Sequence, residues 1–178
     1  MKKKTPLVSI IMNCYNGEKY LKQSINSVLS QNFKNWELIF WDNNSTDNSK
    51  KILKSYRDNR IKYYFSKKTH NLYKARNLAI NKTKGKYICF LDVDDWWARN
   101  KLNTQVNIFN KNKYLDLIFS NFYVFNELTK TKKLFFEKYL LKQRITQNLL
   151  NNYRIGILTV MLKKNFFLKK NLMKITIL

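Results

Sequence analysis

Hydrophobic and polar positions in the first half of the chain switch repeatedly between two patterns. Leu7–Met12 is an apolar run broken only by Ser9, and it ends at the polar turn Asn13-Cys14-Tyr15-Asn16-Gly17, which predicts a buried strand. From Glu18 to Gln31 the apolar positions Tyr20-Leu21, Ile25 and Val28-Leu29 recur at helical spacing. Trp36–Trp41 predicts a second strand, ending on Asp42. Asn43-Asn44-Ser45 then reads as a turn, with Ser45 as N-cap of a helix over Thr46–Tyr56 and Asp47 in its first turn. Ile61–Phe65 predicts a third strand. A third helix follows through Ala75-Arg76-Asn77-Leu78-Ala79-Ile80, closed by Gly85 beyond its C-cap. Tyr87–Leu91, short and rich in β-branched and aromatic residues, predicts a fourth strand.

This β-α-β-α-β-α-β order predicts an α/β fold with a Rossmann-like, mostly parallel sheet flanked by helices. In such sheets ligands bind beyond the carboxyl ends of the strands, where the strand order reverses. Later segments are less regular. Tyr114–Tyr123 is strand-like and contains Asp116, Asn126–Lys130 suggests a hairpin turn, and Tyr153–Lys163 suggests another strand. Leu162–Leu178 mixes Lys with Phe, Leu, Ile and Met, the pattern of a core helix or of a basic amphipathic helix on a membrane surface.

Composition narrows the picture. With 178 residues, 44% of them hydrophobic, one Pro and three Gly, the chain is expected to bury a core as a single domain without linkers. Its 35 Lys and Arg against 11 Asp and Glu give a net charge of +24, which suits nucleic acid, an anionic membrane or phosphorylated small molecules. The basic residues are scattered, and no zinc-finger, helix-turn-helix or ribonucleoprotein motif is present. Cys14 and Cys89 lie in apolar runs without metal-ligand spacing or a disulfide framework, so a reducing, cytoplasmic setting is expected. The apolar segment after Met1-Lys2-Lys3-Lys4 is too short for a signal peptide or a membrane span.

The chemistry concentrates after the fourth strand, where Asp92, Asp94 and Asp95 follow Leu91 within four positions. Carboxylates so close repel one another unless a cation sits among them, and Mg²⁺ or Mn²⁺ prefers such oxygen ligands. A solvated acidic loop is the plain alternative. Against it, the second strand also ends on an acid, Asp42, and the first ends in the Asn13–Asn16 turn, so three strand ends present polar groups at the ligand edge. Nucleotide-sugar transfer fits these parts. A metal held by Asp-x-Asp would neutralise a diphosphate leaving group, and Asp42 could accept hydrogen bonds from base or ribose. The alternative reading is a non-catalytic basic nucleic-acid-binding protein, but nucleic acid is not the expected partner, because clustered acids would repel its phosphates. A phosphohydrolase with nucleophilic Asp-x-Asp would carry the pair on its first strand, with Thr or Gly soon after. Here Trp96-Trp97 follow the fourth strand instead.

The segments VSIIMNCYN, YL, SVLSQ, WELIFWDNNSTDNS and ARNLAI followed by GKYICFLDVDDWW resemble the family 2 glycosyltransferases of the GT-A fold. The resemblance is specific from Leu7 to about Trp97 and weaker through Leu115–Tyr123 and Tyr153–Phe167. It implies a nucleotide-sugar-binding half over 1–97 and an incomplete acceptor-side half over 98–178. It assigns Asp42 to the donor base, and Asp92 and Asp94 to the metal and the ribose-diphosphate. Arg76, Asn77, Tyr15, Asn16 and Asn13 fall to the donor side. It further implies Mn²⁺ or Mg²⁺, a UDP-sugar donor and a glycan or lipid-linked acceptor of surface polysaccharide synthesis. Cytoplasmic location, with contact at the inner face of the membrane, would suit such an acceptor. The chain departs from the family at Asn13-Cys14, where Pro-Thr is usual, and at Asn43-Asn44, where Asp-Gly is usual; Asn tolerates positive φ better than most residues.

Inverting transfer also needs a general base for the acceptor hydroxyl. Relatives of this kind carry it in a Glu-Asp motif downstream. Here no acid follows Glu137, and Asp116, Glu127 and Glu137 lack that context. His70 reads as a solvent-exposed loop residue. No catalytic residue is assigned, and the expectation is a chain cut short of its base, with little transfer activity of its own.

Overall fold

The computed structural model describes residues 5–135, 155–168 and 175–177. In chain order its elements are β1 (Val8–Cys14), α1 (Glu18–Leu29), β2 (Trp36–Asp42), α2 (Ser49–Lys54), β3 (Ile61–Phe65), α3 (Leu72–Ile80) and β4 (Tyr87–Phe90). There follow α4 (Lys101–Lys111), β5 (Leu117–Phe119), β6 (Tyr123–Asn126), β7 (Thr131–Leu134), β8 (Met161–Lys163) and β9 (Ile175–Ile177), with short 3-10 turns at Ile157–Thr159 and Lys164–Leu168.

Seven strands form one sheet in the order β3-β2-β1-β4-β8-β5-β9. β1 pairs in parallel with β2 (Val8 opposite Trp36, Cys14 opposite Asp42) and with β4 (Val8 opposite Tyr87, Ile11 opposite Phe90). β8 runs antiparallel between β4 and β5, so the expected mostly parallel α/β sheet is what forms. Every residue of β1, β2 and β4 is buried, which explains why these strands read as apolar runs rather than as alternations: helices cover both faces. On one face Val8, Ile10, Met12, Leu38 and Cys89 pack with Leu21, Ile25 and Val28 of α1, Leu53 of α2, and Leu102, Val106 and Phe109 of α4. On the other, Ile11, Ile39, Trp41, Ile88 and Phe90 pack with Ala75 and Ala79 of α3.

Several boundaries differ from the sequence reading, each for a local reason. α2 begins only at Ser49 after Asn48, not at Thr46 behind a Ser45 cap. The Ser45 hydroxyl instead accepts from the Asn16 amide (3.1 Å), and the Asp47 carboxylate accepts from the amides of Glu18 (2.9 Å) and Ser49 (3.0 Å). α3 ends at Ile80 with Asn81 as its C-cap, so Gly85 is not its closing residue. Tyr114–Tyr123 is not one strand: Asp116 precedes β5, and Tyr123 opens a separate hairpin. That hairpin turns at the expected place, with β6 antiparallel to β7 and Lys130 at φ 57°. Among the described residues of Tyr153–Lys163 only the last three are strand, and Leu162–Leu178 is not a single helix, since it includes the end of β8, a 3-10 turn and β9. Residues 136–154 and 169–174, with parts of those two segments, lie outside the described residues.

Gly85 does something else. Its amide donates to Ser9 Oγ (2.8 Å), and that hydroxyl donates to the buried Glu37 carboxylate (2.7 Å), which also accepts from the Lys84 amide (2.7 Å). A Cβ on Gly85 would stand 2.5 Å from the Ser9 amide nitrogen, so only glycine lets the chain enter β4 this close to β1. Gly85→Ala is therefore expected to destabilise the fold by about 1–3 kcal/mol, the usual cost of overpacking, as read by urea denaturation.

Candidate functional site

The chain steps from β1 outward to β2 and β3, then returns to place β4 on the other side of β1. This reversal opens a crevice beyond the carboxyl ends of β1 and β4, the place where such sheets receive ligands. Asn13 is buried near the end of β1, and its Nδ2 has no hydrogen-bond partner. Trp41 Nε1 on β2 and Arg76 Nε on α3 are likewise buried and unpartnered. Buried donors are nearly always satisfied; of the six buried side-chain polar atoms without a partner among the described residues, these three belong to elements that flank the crevice.

Asp42 ends β2 and is buried. One carboxylate oxygen accepts from the Ser45 amide (2.8 Å) and the other from Tyr63 Oη (2.8 Å). Burial and the Asp42 carboxylate push the Tyr63 phenol far above its usual range, so it stays a donor. Each oxygen keeps a further lone pair for a ligand NH or OH. Asn44 adopts φ 72°, the left-handed conformation for which Asn is the best substitute for the family's usual glycine. Asn43 clamps the neighbouring loop: its Nδ2 donates to the His70 carbonyl (2.7 Å) and its Oδ1 accepts from the His70 amide (3.1 Å). His70 is thus half-buried and held by its backbone, rather than solvent-exposed as the sequence suggested.

The loop after β1 is fastened to the loop after β2. Asn16, at φ 53°, accepts through Oδ1 from the Thr46 amide (2.8 Å). The Gly17 amide donates to Ser49 Oγ (3.0 Å), and the Glu18 carboxylate accepts from the Asn48 amide (2.8 Å). Tyr15 is left exposed above this joint, and Asn77 is exposed on α3.

Asp92 follows β4 and meets Arg76 across the crevice, one guanidinium nitrogen donating to both carboxylate oxygens at 2.9 Å. Asp94 is exposed, and no hydrogen bond or ion pair engages its side chain among the described residues. Asp95 is partly buried. Burial, with the charges of Asp94 and Asp92 adding, pushes its carboxyl up to about 6. Among the described residues no three His, Cys, Asp or Glu side chains converge as a metal cage. That donor set still fits Mg²⁺ or Mn²⁺, which are commonly held by one or two carboxylates with substrate phosphates completing the shell. Asp94 is the carboxylate available; Asp92 is shared with Arg76.

Beyond Asp94 and Asp95 opens a cavity of about 840 Å³, walled by Tyr20, Trp96, Trp97, Phe122, Tyr123 and Phe125. Glu127 stands at its rim, accepting from Tyr20 Oη (2.9 Å) and Lys19 Nζ (3.1 Å), which hold its carboxyl below the usual range. Asp116 is turned away, paired with Lys163 at 3.4 Å. Glu137 lies outside the described residues. Sequence reasoning missed Tyr63, Asn43 and the aromatic wall. Trp96-Trp97 was a visible signal for that wall, whereas the Tyr63 phenol meeting Asp42 depends on β2–β3 register. Arg76→Gln leaves Asp92 without its counter-ion. The loss expected is about 1–2 kcal/mol, the lower range for charge-assisted hydrogen bonds at a partly solvated site, measured by chemical denaturation.

The family model for glycosyl transferase family 2 matches residues 9–172. An Escherichia coli relative, "UDP-Glc:alpha-D-GlcNAc-diphosphoundecaprenol beta-1,3-glucosyltransferase WfgD", is 38% identical over 159 residues, covering 89% of this chain and 60% of that protein. Among solved structures, S. aureus TarS 1-349 in complex with UDP-GlcNAc superposes with a TM-score of 0.73 at 23% identity, over 90% of this chain and 46% of that one. The mannosyltransferase PcManGT from Pyrobaculum calidifontis, in complex with GDP-Man and Mn²⁺, gives a TM-score of 0.65 at 16% identity, over 90% of this chain and 45% of that one. The two structures show likeness of fold. The chain spans 60% of the length of WfgD and just under half of each of these two structures.

Proposed function

The chain belongs to glycosyl transferase family 2, and from that premise we propose that its crevice binds a nucleotide-diphosphate sugar and delivers the sugar to an acceptor in the aromatic cavity. The observation that carries this reading is the meeting, at one sheet reversal, of an anchored acid, an acid–arginine pair and an unengaged acid beside unpartnered donors. Asp42 accepts from the base. Asn13, Tyr15, Asn16, Arg76 and Asn77 line the donor side, with the free Asn13 and Arg76 donors aimed at ligand oxygens. Asp92, oriented by its contact with Arg76, accepts from the ribose hydroxyls. Asp94, with Asp92 beside it, would hold Mn²⁺ or Mg²⁺, which would supply Lewis-acid neutralisation of the diphosphate. UDP is the favoured nucleotide because WfgD is named for a UDP-sugar and TarS is solved with one.

The acceptor's hydroxyl attacks the anomeric carbon from the face opposite the diphosphate. The new carbon–oxygen bond forms as the bond to phosphate breaks, and the configuration inverts. The aromatic wall suits the apolar faces of sugar rings. The acceptor is proposed to be a glycan, by likeness to WfgD one linked to a lipid diphosphate, reached at the inner face of the membrane. No helix among the described residues is long and apolar enough to cross a bilayer. The base for the acceptor proton is not assigned, since Asp116 is paired away and Glu127 is held by Lys19 and Tyr20.

Two outcomes are expected. In calorimetric titration UDP binds with Mn²⁺, and Asp94→Asn weakens that binding at least tenfold without altering stability. Metal-independent binding untouched by the substitution would refute the site. In a transfer assay this chain turns over far more slowly than a full-length relative, although it binds donor. Comparable turnover would show that a base is present after all.

A further inference from the structure

The hairpin of β6 and β7 leaves more apolar surface bare than its environment warrants. Leu128 at its turn is 94% exposed and Tyr123 65%, with Val124, Leu134 and Phe135 exposed as well. Two strands alone are marginal in water, so the hairpin needs anchors. It has them on one side: Phe125 meets Trp96 edge-on at 5.5 Å, Phe122 stacks on Phe135 at 4.4 Å, and Glu127 binds Lys19 and Tyr20. The Phe122–Phe135 stack closes the open end of the hairpin, while Phe125 and Glu127 hold β6 and the turn against Trp96 and α1. They do not cover Leu128.

Charge separates the candidate occupants. Between Tyr123 and Leu134 the cations are Lys130, Lys132 and Lys133, and the one acid, Glu127, is drawn back toward Lys19. An exposed aliphatic tip ringed by lysines matches an anionic bilayer, whose acyl chains take the leucine and whose phosphates take the ammonium groups. A nucleic acid would use the lysines but offers nothing to a bare leucine.

We propose that the β6–β7 hairpin is a docking finger for an anionic lipid surface, inserting Leu128 and resting Lys130 and Lys132 on the headgroup phosphates. Tyr123, Phe125 and Lys132 of the same hairpin also line the aromatic cavity, so docking sets the cavity mouth beside the bilayer. That last consequence rests on the proposed function; the docking itself does not.

The test is co-sedimentation of the whole chain with vesicles of phosphatidylglycerol and phosphatidylcholine, against vesicles of phosphatidylcholine alone. Binding is expected only to the anionic vesicles, weakened at least tenfold by Leu128→Asp and weakened also by Lys130→Glu with Lys132→Glu. Both native cysteines are buried, so an environment-sensitive fluorophore on Leu128→Cys reports the tip alone, and its emission should shift to the blue on anionic vesicles. Equal binding by Leu128→Asp would overturn the proposal, leaving the scattered lysines as the attachment. So would a fall in its unfolding temperature with binding unchanged, which would mean that another part of the chain, such as 136–154, covers the tip. Absence of vesicle binding would overturn it in favour of a protein partner. UDP titration of the same variants separates the two readings: donor binding should survive Leu128→Asp, and its absence in the parent chain would fail the donor site alone.

Discussion

Parallel pairing of β1 with β2 on one side and β4 on the other is the constraint from which the rest of this structure follows. β1 pairs with β2 along all seven of its residues and with β4 along Val8–Ile11, and all seven of its residues are buried. β2 ends level with it and β4 stops opposite Ile11, and because all three run in parallel, whatever follows each strand emerges at the same edge of the sheet. Three loops therefore crowd together there, carrying Asn13–Asn16, Asp42–Ser45 and Asp92–Asp95. Approach between β1 and β4 is bought at the opposite edge by Gly85, with Ser9 and Glu37 closing the polar account of a tight entry.

Electrostatics give the edge its character. A chain of net charge +24 would ordinarily present a uniformly positive surface. Here the scarce acids are concentrated where the sheet reverses, and they differ in state. Asp42 accepts one bond on each oxygen, from Ser45 and Tyr63, Asp92 is paired with Arg76, Asp94 stands without a partner among the described residues, and burial and its neighbours push the Asp95 carboxyl up. One short segment thus holds carboxylates prepared for different partners. Basic surroundings would hold phosphate groups near that edge at long range, while the acids decide what may sit at its centre.

Much of this was legible in the sequence, because parallel strands buried on both faces write themselves as apolar runs with abrupt polar ends. β3 falls where the periodicity put it, and Asp42 and Asp92 stand at the strand ends as read. The misreadings share a cause. Ser45, Asp47 and Gly85 were given the local roles that helix chemistry favours, as N-cap, first-turn acid and C-terminal stop. In the fold each engages a partner distant in sequence, Ser45 with Asn16, Asp47 with Glu18 and Gly85 with Ser9, although Asp47 also accepts from the nearby Ser49 amide. Long-range hydrogen bonds leave no periodic trace. The aromatic cavity was hidden for the same reason, since its wall is drawn from Tyr20, Trp96, Phe122 and Phe125, which only the tertiary fold assembles.

The fastening of the β1–α1 loop to the β2–α2 loop has a mechanical consequence. Hydrogen bonds from Asn16, Gly17 and Glu18 to Ser45, Thr46, Asn48 and Ser49 tie the two loops along their whole facing length. They form a single rigid lip, which cannot part to admit a ligand without breaking several bonds together. On the α3 side the backbone of His70 is clamped by Asn43, and Arg76 reaches Asp92 through a partly solvated contact. The crevice thus has walls set by backbone and short polar side chains, and the long Arg76 side chain is the element there with the most rotatable bonds to yield.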